Sequence, residues 1–320
     1  MENMLQWGLD CIRAVQNAAS PPLTVVMNIV TWFGSTWFWF TLLPLVFWYV
    51  DEKKGVRLGV AVMVSAWLNI TLKFLFNQPR PFWEGYDPRL AFIPEGLNGF
   101  PSGHAQATLV IWIIMASWVG KKWAYAAAAL VVLLISFSRV YLGVHFPTDI
   151  LGGWIAGSLV LAVYFLWGDA IERLLVRGGL RAQIIVSAAA AFIMILYNPA
   201  VSKTMQGGVE ALVSPGGIVL GMGVGYALSA CYTGFHSSFA GRTGAAKFLA
   251  AAGRIVIGAA GTALFFILLQ KMKIVLGPGF NRFGIFIQFA VSALWIYGGA
   301  PWIFVLLKLA DGKSKEGKAA

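Results

Sequence analysis

Long apolar runs dominate the chain and are separated by short segments that carry most of its charge. Because a membrane-spanning helix needs about 20 mostly apolar residues, each run of that length predicts one span. Nine runs meet this requirement, at residues 28–50, 56–77, 104–120, 123–140, 148–168, 181–197, 215–233, 248–270 and 283–308. Pro44 is expected to kink the first of them. The pattern therefore predicts an all-α integral membrane protein with about nine transmembrane helices.

The N-terminal segment, residues 1–22, has a different pattern from the nine runs. Leu5, Leu9 and Ile12 recur at helical spacing among polar residues, which predicts an amphipathic helix lying on the membrane surface. Charged residues interrupt any apolar stretch within it, so we do not interpret it as a secretory signal peptide.

The chemically informative polar residues lie in the first six runs, whereas the last three runs follow Asn198-Pro199 and resemble an added unit. We therefore divide the chain into the segment 1–22, a six-helix core at 23–197 and a three-helix C-terminal extension at 198–320. The extension ends in a basic tail, which we expect on the cytoplasmic side beside anionic lipid.

Glycines recur every four residues within the seventh run, at Gly217, Gly221 and Gly225. This spacing lets helix backbones approach closely. We favour packing within the chain, and a homodimer contact is the alternative.

Composition agrees with a membrane protein, since 59% of residues are hydrophobic and only 12% are charged. A soluble domain carries roughly a quarter charged residues. The net charge of +11 does not indicate a nucleic-acid partner, because the basic residues lie in short loops between spans. The two cysteines, Cys11 and Cys231, form neither a disulfide framework nor a metal-ligand spacing.

Loop charge predicts the orientation of the chain. If residue 1 lies outside, 15 of the 24 lysines and arginines face the cytoplasm. The other nine lie outside, and three of these nine belong to the site described next. Positive charge concentrates in cytoplasmic loops, so the N-terminus is expected outside and the C-terminus inside. The short loops and the missing signal peptide favour a bacterial inner membrane, although the endoplasmic reticulum fits the same topology.

Three polar clusters interrupt the apolar pattern, and the predicted topology places all of them on the outer, periplasmic face. Cluster 1 lies at the end of the second run and contains Lys73, Arg80 and Pro81. Cluster 2 lies at the start of the third run and contains Pro101, Ser102, Gly103 and His104. Cluster 3 extends from the end of the fourth run to the start of the fifth and contains Ser138, Arg139, His145 and Asp149. Charged side chains at a membrane are costly, so their concentration indicates a functional site.

The cations and the helix start in these clusters suit phosphate binding. Lys73, Arg80 and Arg139 supply three positive charges, and the planar fork of arginine matches pairs of phosphate oxygens. Ser102 and Gly103 stand where a helix is predicted to begin. Their backbone N–H groups, together with the helix dipole, would form an anion site.

The two histidines of the clusters suit phosphoryl transfer. One histidine can attack phosphorus while the other protonates the leaving oxygen. Asp149 follows His145 by four residues, so its carboxylate can accept from one ring nitrogen and fix the tautomer. Alternatively, Asp149 complements the positive N-terminus of the next helix. No cluster has a metal-ligand spacing, and we expect no metal or other cofactor.

Together the clusters resemble the three-part signature of the type-2 phosphatidic acid phosphatase superfamily, over residues 25–197. The matching patterns are Lys-x6-Arg-Pro, Pro-Ser-Gly-His and Ser-Arg-x5-His-x3-Asp. The resemblance implies a metal-independent membrane phosphatase in which His145 is the nucleophile and forms a phosphohistidine. It also implies that Asp149 orients His145, and that His104 protonates the leaving group and then activates water. The phosphate ligands it implies are Lys73, Arg80, Ser102, Gly103 and Arg139.

The resemblance leaves the substrate open between two branches. The nine-span layout and Trp67-Leu68-Asn69 resemble the glucose-6-phosphatase branch, whereas Asp149 is typical of the lipid phosphatases. We expect a phosphorylated lipid of the phosphatidic acid, phosphatidylglycerophosphate or isoprenoid diphosphate type. The alternatives are a sugar phosphate and a non-catalytic phospholipid binder or transporter. No inverted repeat supports the last of these.

Three features near the clusters carry open interpretations. Asn69 lies one helical turn before Lys73, and either holds that lysine or bonds to an adjacent helix. The loop 82–100 is rich in aromatic and charged residues, and either covers the site or forms an aromatic belt at the membrane interface. His236 is interpreted as a loop histidine outside the site.

Overall fold

The computed structural model describes residues 2–83, 86–87, 90–93, 95–196, 206–239, 241–276 and 281–313. The predicted boundary at residues 197–198, parts of the loop 82–100 and the basic tail after residue 313 lie outside these ranges. Within the described ranges the chain is helical and forms no strand, which confirms the all-α class.

Twelve α-helices lie in the part of the chain that the structure describes. They are α1 (Glu2–Gln16), α2 (Pro21–Trp32), α3 (Thr36–Leu45), α4 (Glu52–Phe76), α5 (Gly103–Val119), α6 (Lys122–Tyr141), α7 (Pro147–Arg177), α8 (Gly179–Leu196), α9 (Gln206–Leu228), α10 (Gly244–Leu276), α11 (Asn281–Leu294) and α12 (Ala300–Leu306). Single π-helical turns extend α3, α9 and α11, at Val46–Val50, Ser229–Thr233 and Trp295–Gly299.

Seven helical stretches among the described residues are long and apolar enough to cross a membrane. They are Glu52–Phe76, Lys122–Tyr141, Pro147–Arg177, Gly179–Leu196, Ser214–Thr233, Gly244–Met272 and Phe283–Leu306. The pair Pro21–Trp32 and Thr36–Val50 makes an eighth if it is one span bent by 45°. The helix α5 has only 17 residues. The predicted count of nine is therefore not confirmed.

The bend in the first predicted span lies upstream of the expected position. The chain leaves the helix between Trp32 and Thr36, and the helices on either side differ in direction by 45°. Pro44 stands inside α3, directly before the π-helical turn Val46–Val50. The break thus falls at Gly34 and Ser35, where the sequence pattern gave no warning.

The described residues group into two compact units. Unit 1 takes its residues from Met1–Phe40, Val64–Leu166 and Pro199–Gly208; unit 2 takes its residues from Thr41–Met63, Trp167–Asn198 and Val209–Ala320. Two long helices, α4 and α7, each contribute to both units. The division of the chain into the contiguous segments 1–22, 23–197 and 198–320 stays a prediction.

The helix α1 covers part of unit 1. Its apolar residues Leu5, Leu9 and Ile12 are buried in a cluster with Leu90 and Phe146. The predicted amphipathic helix is thus present, and its apolar face contacts protein. Its placement on the membrane surface stays a prediction.

In unit 2, the glycine repeat of α9 lies against α11 and its π-helical extension. A Cβ atom on Gly217 would lie 2.5 Å from the carbonyl oxygen of Phe286, and one on Gly221 would lie 2.0 Å from that of Ala290. Such distances are too short for any side chain, so glycine is needed for the two backbones to touch. This contact confirms the prediction that the repeat packs within the chain.

Candidate active site

All three polar clusters predicted from the sequence lie within unit 1. Five of their six ionisable residues are deeply buried, with residual exposures of 5% for Lys73, 2% for Arg80, 1% for Arg139, 2% for His145 and 0% for Asp149, whereas His104 is partly exposed. Burying so many charged groups is costly unless they contact one another or other polar groups. Their contacts are therefore the main evidence for what this site does.

The pair formed by His145 and Asp149 has the geometry expected from the sequence. Nδ1 of His145 lies 3.0 Å from Oδ2 of Asp149. The same oxygen accepts from the backbone N–H of Phe146 at 3.0 Å, and Oδ1 accepts from Nε2 of Gln78 at 2.9 Å. A carboxylate surrounded by donors acts only as an acceptor, which assigns the ring proton to Nδ1. Nε2 of His145 then carries the free lone pair.

The backbone around His145 explains why the pair forms. The turn before it needs Gly143, which has φ +70° and where a Cβ atom would lie 2.0 Å from the carbonyl oxygen of Leu90. Pro147 then begins α7, and Asp149 lies in its first turn. Because Asp149 also accepts from the N–H of Phe146, it complements the helix start and orients the histidine at the same time. The two interpretations offered by the sequence are therefore compatible.

Arg80 lies directly in front of the free nitrogen of His145. Its Nη1 donates to the carbonyl oxygen of Val144 at 2.8 Å and lies 3.2 Å from Nε2 of His145. Its Nε donates to the carbonyl oxygen of Leu97. Burial, opposed in part by the carboxylate of Glu95, lowers the pKa of Arg80 to about 10, so its guanidinium stays charged at neutral pH.

The protonation state of His145 follows from its surroundings. Burial, together with the positive charges of Arg80, Lys73 and Arg139, lowers the pKa of His145 well below its usual value. The imidazole is therefore neutral at physiological pH. A neutral imidazole with a fixed tautomer is the form that can act as a nucleophile.

Arg139 on α6 is held by contacts from two distant segments. Its Nη1 donates to Oγ1 of Thr31 on α2 at 2.7 Å, and its Nη2 contacts Oε1 of Glu95. Its Nε is buried and has no hydrogen-bond partner among the described residues. Sequence reasoning identified Arg139 but not Thr31, which no sequence signal marked. Glu95 was noted only as part of a charged loop.

Lys73 at the end of α4 fixes the segment that leads into cluster 2. Its Nζ donates to the carbonyl oxygens of Asn98 at 2.6 Å and Gly99 at 3.0 Å. In return, the side chain of Asn98 donates to the carbonyl oxygen of Lys73 at 3.0 Å. An ammonium group has three donors, so one remains for a ligand.

The structure corrects the expectation that the backbone N–H of Ser102, at the start of α5, binds an anion. The backbone N–H of Ser102 donates to the carbonyl oxygen of Asp149 at 2.9 Å, so it joins α5 to α7 instead of facing a ligand. The Ser102 hydroxyl caps the helix by accepting from the N–H of Ala105 at 3.5 Å. In the first turn, the N–H groups of Gly103 and His104 have no partner within the helix and remain suited to an anion.

Asn69 supports cluster 2 through a buried polar network. Its Nδ2 donates to the carbonyl oxygen of Pro101 at 3.2 Å and to Oε1 of Gln106 at 2.8 Å. Nε2 of Gln106 donates in turn to the carbonyl oxygen of Ser65 at 2.8 Å. These contacts confirm that Asn69 bonds to an adjacent helix. They hold the Pro101 segment in place, a role that the sequence did not reveal.

His104 is packed closely against the break between α2 and α3. A Cβ atom on Gly34 would lie 2.9 Å from Cδ2 of His104 and 2.7 Å from Cγ2 of Ile135. Gly34→Ala is therefore expected to displace the imidazole of His104. With the role that the resemblance implies for His104, this displacement should lower kcat by about tenfold or more, since small misplacements of a reacting group are costly. KM should change little. Steady-state rates test this, with Gly96→Ala as control, because a Cβ atom there would meet no atom within 4 Å in the part of the chain that the structure describes. Equal kcat in the two variants would contradict the prediction.

His236, the third histidine, lies in unit 2 and belongs to none of the clusters. Its Nδ1 is 3.0 Å from Oε1 of Glu52, and its backbone N–H donates to the carbonyl oxygen of Asp311 at 3.0 Å. Across the described residues, no group of three or more His, Cys, Asp or Glu side chains is arranged to hold a metal ion.

Comparison with known proteins identifies two matching regions. The PAP2 superfamily matches residues 54–173, which include the three clusters. A second family, described as PAP2 superfamily phosphatase, transmembrane extension, matches residues 213–312.

Individual relatives agree with this match. Phosphatidylglycerophosphatase B of Bacillus subtilis is 31% identical over 181 residues, covering 50% of this chain and 85% of that protein. Undecaprenyl-diphosphatase of Sulfolobus acidocaldarius is 25% identical over 163 residues, covering 50% of this chain and 77% of that protein. Glucose-6-phosphatase catalytic subunit 1 of Haplochromis nubilus is 29% identical over 196 residues, but only 54% of that protein is covered. The chain belongs to the PAP2 superfamily and is a membrane phosphatase.

Proposed function

We propose that this phosphatase hydrolyses a lipid phosphate at the outer face of the membrane, through a phosphohistidine formed on His145. The observation that carries the proposal is the arrangement around this imidazole. Asp149 contacts Nδ1 at 3.0 Å, and Nε2 faces the guanidinium of Arg80 at 3.2 Å. A phosphate bound to Arg80 would thus lie next to the nucleophilic nitrogen.

In the first step, the phosphoryl group is bound by Arg80, Arg139, Lys73 and the N–H groups at the start of α5. Nε2 of His145 attacks phosphorus, and the bond between phosphorus and the lipid oxygen breaks. The negative charge of the bound phosphate favours the protonated form of His104, which gives its proton to the leaving oxygen. The positive charge that develops on His145 is stabilised by Asp149.

In the second step, neutral His104 accepts a proton from water. The resulting hydroxide attacks phosphorus, and the bond between phosphorus and Nε2 breaks. Inorganic phosphate leaves, and His145 returns to its starting form. In both steps, the fixed cations stabilise the negative charge on the phosphoryl oxygens without having to reorganise.

A lipid is the favoured substrate for two reasons. The relatives named above that the chain covers by more than two thirds carry the names of lipid phosphatases. By the resemblance seen in the sequence, Asp149 is also typical of the lipid branch. Phosphatidic acid, phosphatidylglycerophosphate and isoprenoid diphosphates all present the phosphate that this site would bind. A sugar phosphate is the second candidate, because glucose-6-phosphatase also matches half of the chain.

The proposed sidedness rests on the loop charges, which favour an N-terminus outside and a C-terminus in the cytoplasm. A reporter that is active only in the cytoplasm should therefore work when fused to the C-terminus. The control is the same reporter fused at the N-terminus, which should be inactive. The reverse result would contradict the orientation.

The experiment that tests the proposed activity is release of inorganic phosphate by the purified protein in detergent with EDTA. The panel contains phosphatidic acid, phosphatidylglycerophosphate, undecaprenyl diphosphate, sphingosine phosphate and glucose 6-phosphate. We expect chelator-resistant release from one of the lipids. A preference for glucose 6-phosphate would assign the protein to the sugar phosphatases. Binding of a lipid phosphate without release would favour the non-catalytic alternative.

A further inference from the structure

A carboxylate bridges the two arginines that would bind the phosphate. Oε1 of Glu95 contacts Nη2 of Arg139, and Oε2 lies 3.5 Å from Nη2 of Arg80. The arginine side chains are almost completely buried, with exposures of 1% for Arg139 and 3% for Arg80. The two oxygens of one carboxylate are thus divided between two buried guanidinium groups.

Carboxylate and phosphate oxygens use the same guanidinium donors. A phosphoryl group placed against Arg80 and Arg139 would need the N–H groups that Glu95 contacts. It would also bring its negative charge next to the negative charge of Glu95 in a buried site, where repulsion is strong. The phosphate and the Glu95 carboxylate therefore exclude each other from the two arginines.

The two arginines keep their positions without Glu95. Arg139 donates to Thr31, and Arg80 donates to the carbonyl oxygens of Leu97 and Val144. These bonds involve other N–H groups of the same side chains. Loss of the Glu95 contacts would therefore free two N–H groups that already point to one place.

Glu95 itself has room to move away from the arginines. It lies in the segment between α4 and α5, outside any helix, and its side chain is 26% exposed. At the next residue, Gly96, a Cβ atom would meet no atom of the described residues within 4 Å. Withdrawal of the carboxylate would not require α4, α5 or α6 to shift.

We propose that Glu95 is an intramolecular competitor of the phosphoryl group. It neutralises the buried arginines when the site holds no phosphate, and it weakens the binding of both substrate and inorganic phosphate. The consequence is faster product release at the expense of substrate affinity. This inference rests on the proposed function for one point only, namely that Arg80 and Arg139 bind the phosphate.

The test measures the affinity of inorganic phosphate for the purified protein and its Glu95→Gln variant, by calorimetry at constant pH and ionic strength. The amide keeps the size of the side chain but removes the negative charge. We expect Kd to fall by about tenfold, which corresponds to about 1.4 kcal/mol. Inhibition of turnover by phosphate should strengthen by the same factor.

Two further variants make the result specific. Glu95→Ala also removes the charge and must likewise tighten phosphate binding, even if the amide of the glutamine variant disturbs the loop. Asp87→Asn is the matched control in the same loop, because its carboxylate pairs with Arg13 at 3.2 Å. We expect it to leave Kd unchanged.

The outcomes separate this inference from the proposed function. Tighter phosphate binding in both Glu95 variants, without turnover in any protein, would support the competitor and contradict the proposed hydrolysis. Unchanged or weaker binding in the Glu95 variants would overturn the competitor, whatever the turnover, since it would mean that the carboxylate only positions the arginines. If neither the wild-type protein nor a Glu95 variant binds phosphate, the competitor is overturned, whereas the proposed hydrolysis is judged by turnover alone.

Discussion

Replacement of His145 by alanine is expected to lower the rate of phosphate release by about 10⁴-fold or more, as is typical when a nucleophile is removed. The imidazole supplies the attacking nitrogen, and no other histidine contacts Asp149 among the residues that the structure describes. The measurement is the initial rate with the best lipid of the panel. Inorganic phosphate should still bind, because the side chains of Arg80, Arg139 and Lys73 remain.

The control for this loss is His236→Ala. That histidine pairs with Glu52 in unit 2, so its removal should leave the rate within about twofold, as expected for a surface substitution. Thermal unfolding of both variants shows whether the fold is retained. Substantial turnover by a folded His145→Ala protein would contradict the assignment of the nucleophile.

The second large effect is expected from His104→Ala, which should lower turnover of a lipid phosphate by about 10²–10⁴-fold, the usual contribution of general acid–base catalysis. The two steps should respond differently when the substrate is changed. With p-nitrophenyl phosphate the leaving group needs no proton, so the first step no longer depends on His104. The second step still needs a base to activate water.

Rapid mixing of His104→Ala with p-nitrophenyl phosphate should therefore give a burst of nitrophenol close to the enzyme concentration, followed by slow turnover. The wild-type protein is the control and should show a smaller burst or none. If His104→Ala slows the burst itself as strongly as it slows turnover of the lipid, His104 is not the acid of the first step.

The residues of the site could be located from the sequence because each cluster lies at one end of a helix. Spacing within one element is local information, so the four-residue interval from His145 to Asp149 correctly indicated a contact. The contacts of Asn69 could be narrowed only to two alternatives. The structure decided between them, because the partner lies on another helix.

The contacts that sequence reasoning missed all join segments far apart in the chain. Thr31 reaches Arg139, and Glu95 reaches both Arg139 and Arg80. Nothing in the local pattern of a threonine or a loop glutamate records which distant arginine it will meet. The hydrogen bond from the backbone N–H of Ser102 to the carbonyl oxygen of Asp149 was missed for the same reason, because it depends on how α5 approaches α7.

The number of spans could not be predicted from the hydrophobic pattern either. The run 28–50 is mostly apolar, yet the helix breaks at Gly34 and Ser35, where a Cβ atom on Gly34 would lie 2.9 Å from Cδ2 of His104. The helix α5 begins at Gly103, where Ser102 caps it and Pro101 precedes it, and its 17 residues agree closely with the predicted run 104–120. Both features arise from tertiary contacts and capping, which hydropathy does not measure.

The most direct test of the account is to find the covalent intermediate. Wild-type protein is mixed with a lipid phosphate, quenched in alkali, where phosphohistidine is stable, and digested for mass spectrometry. The proposed mechanism predicts one phosphoryl group on His145, absent from His145→Ala, and increased in His104→Ala when p-nitrophenyl phosphate replaces the lipid. Rapid phosphate release without any phosphorylated histidine in these samples would show that water attacks the lipid phosphate directly and would contradict the central claim.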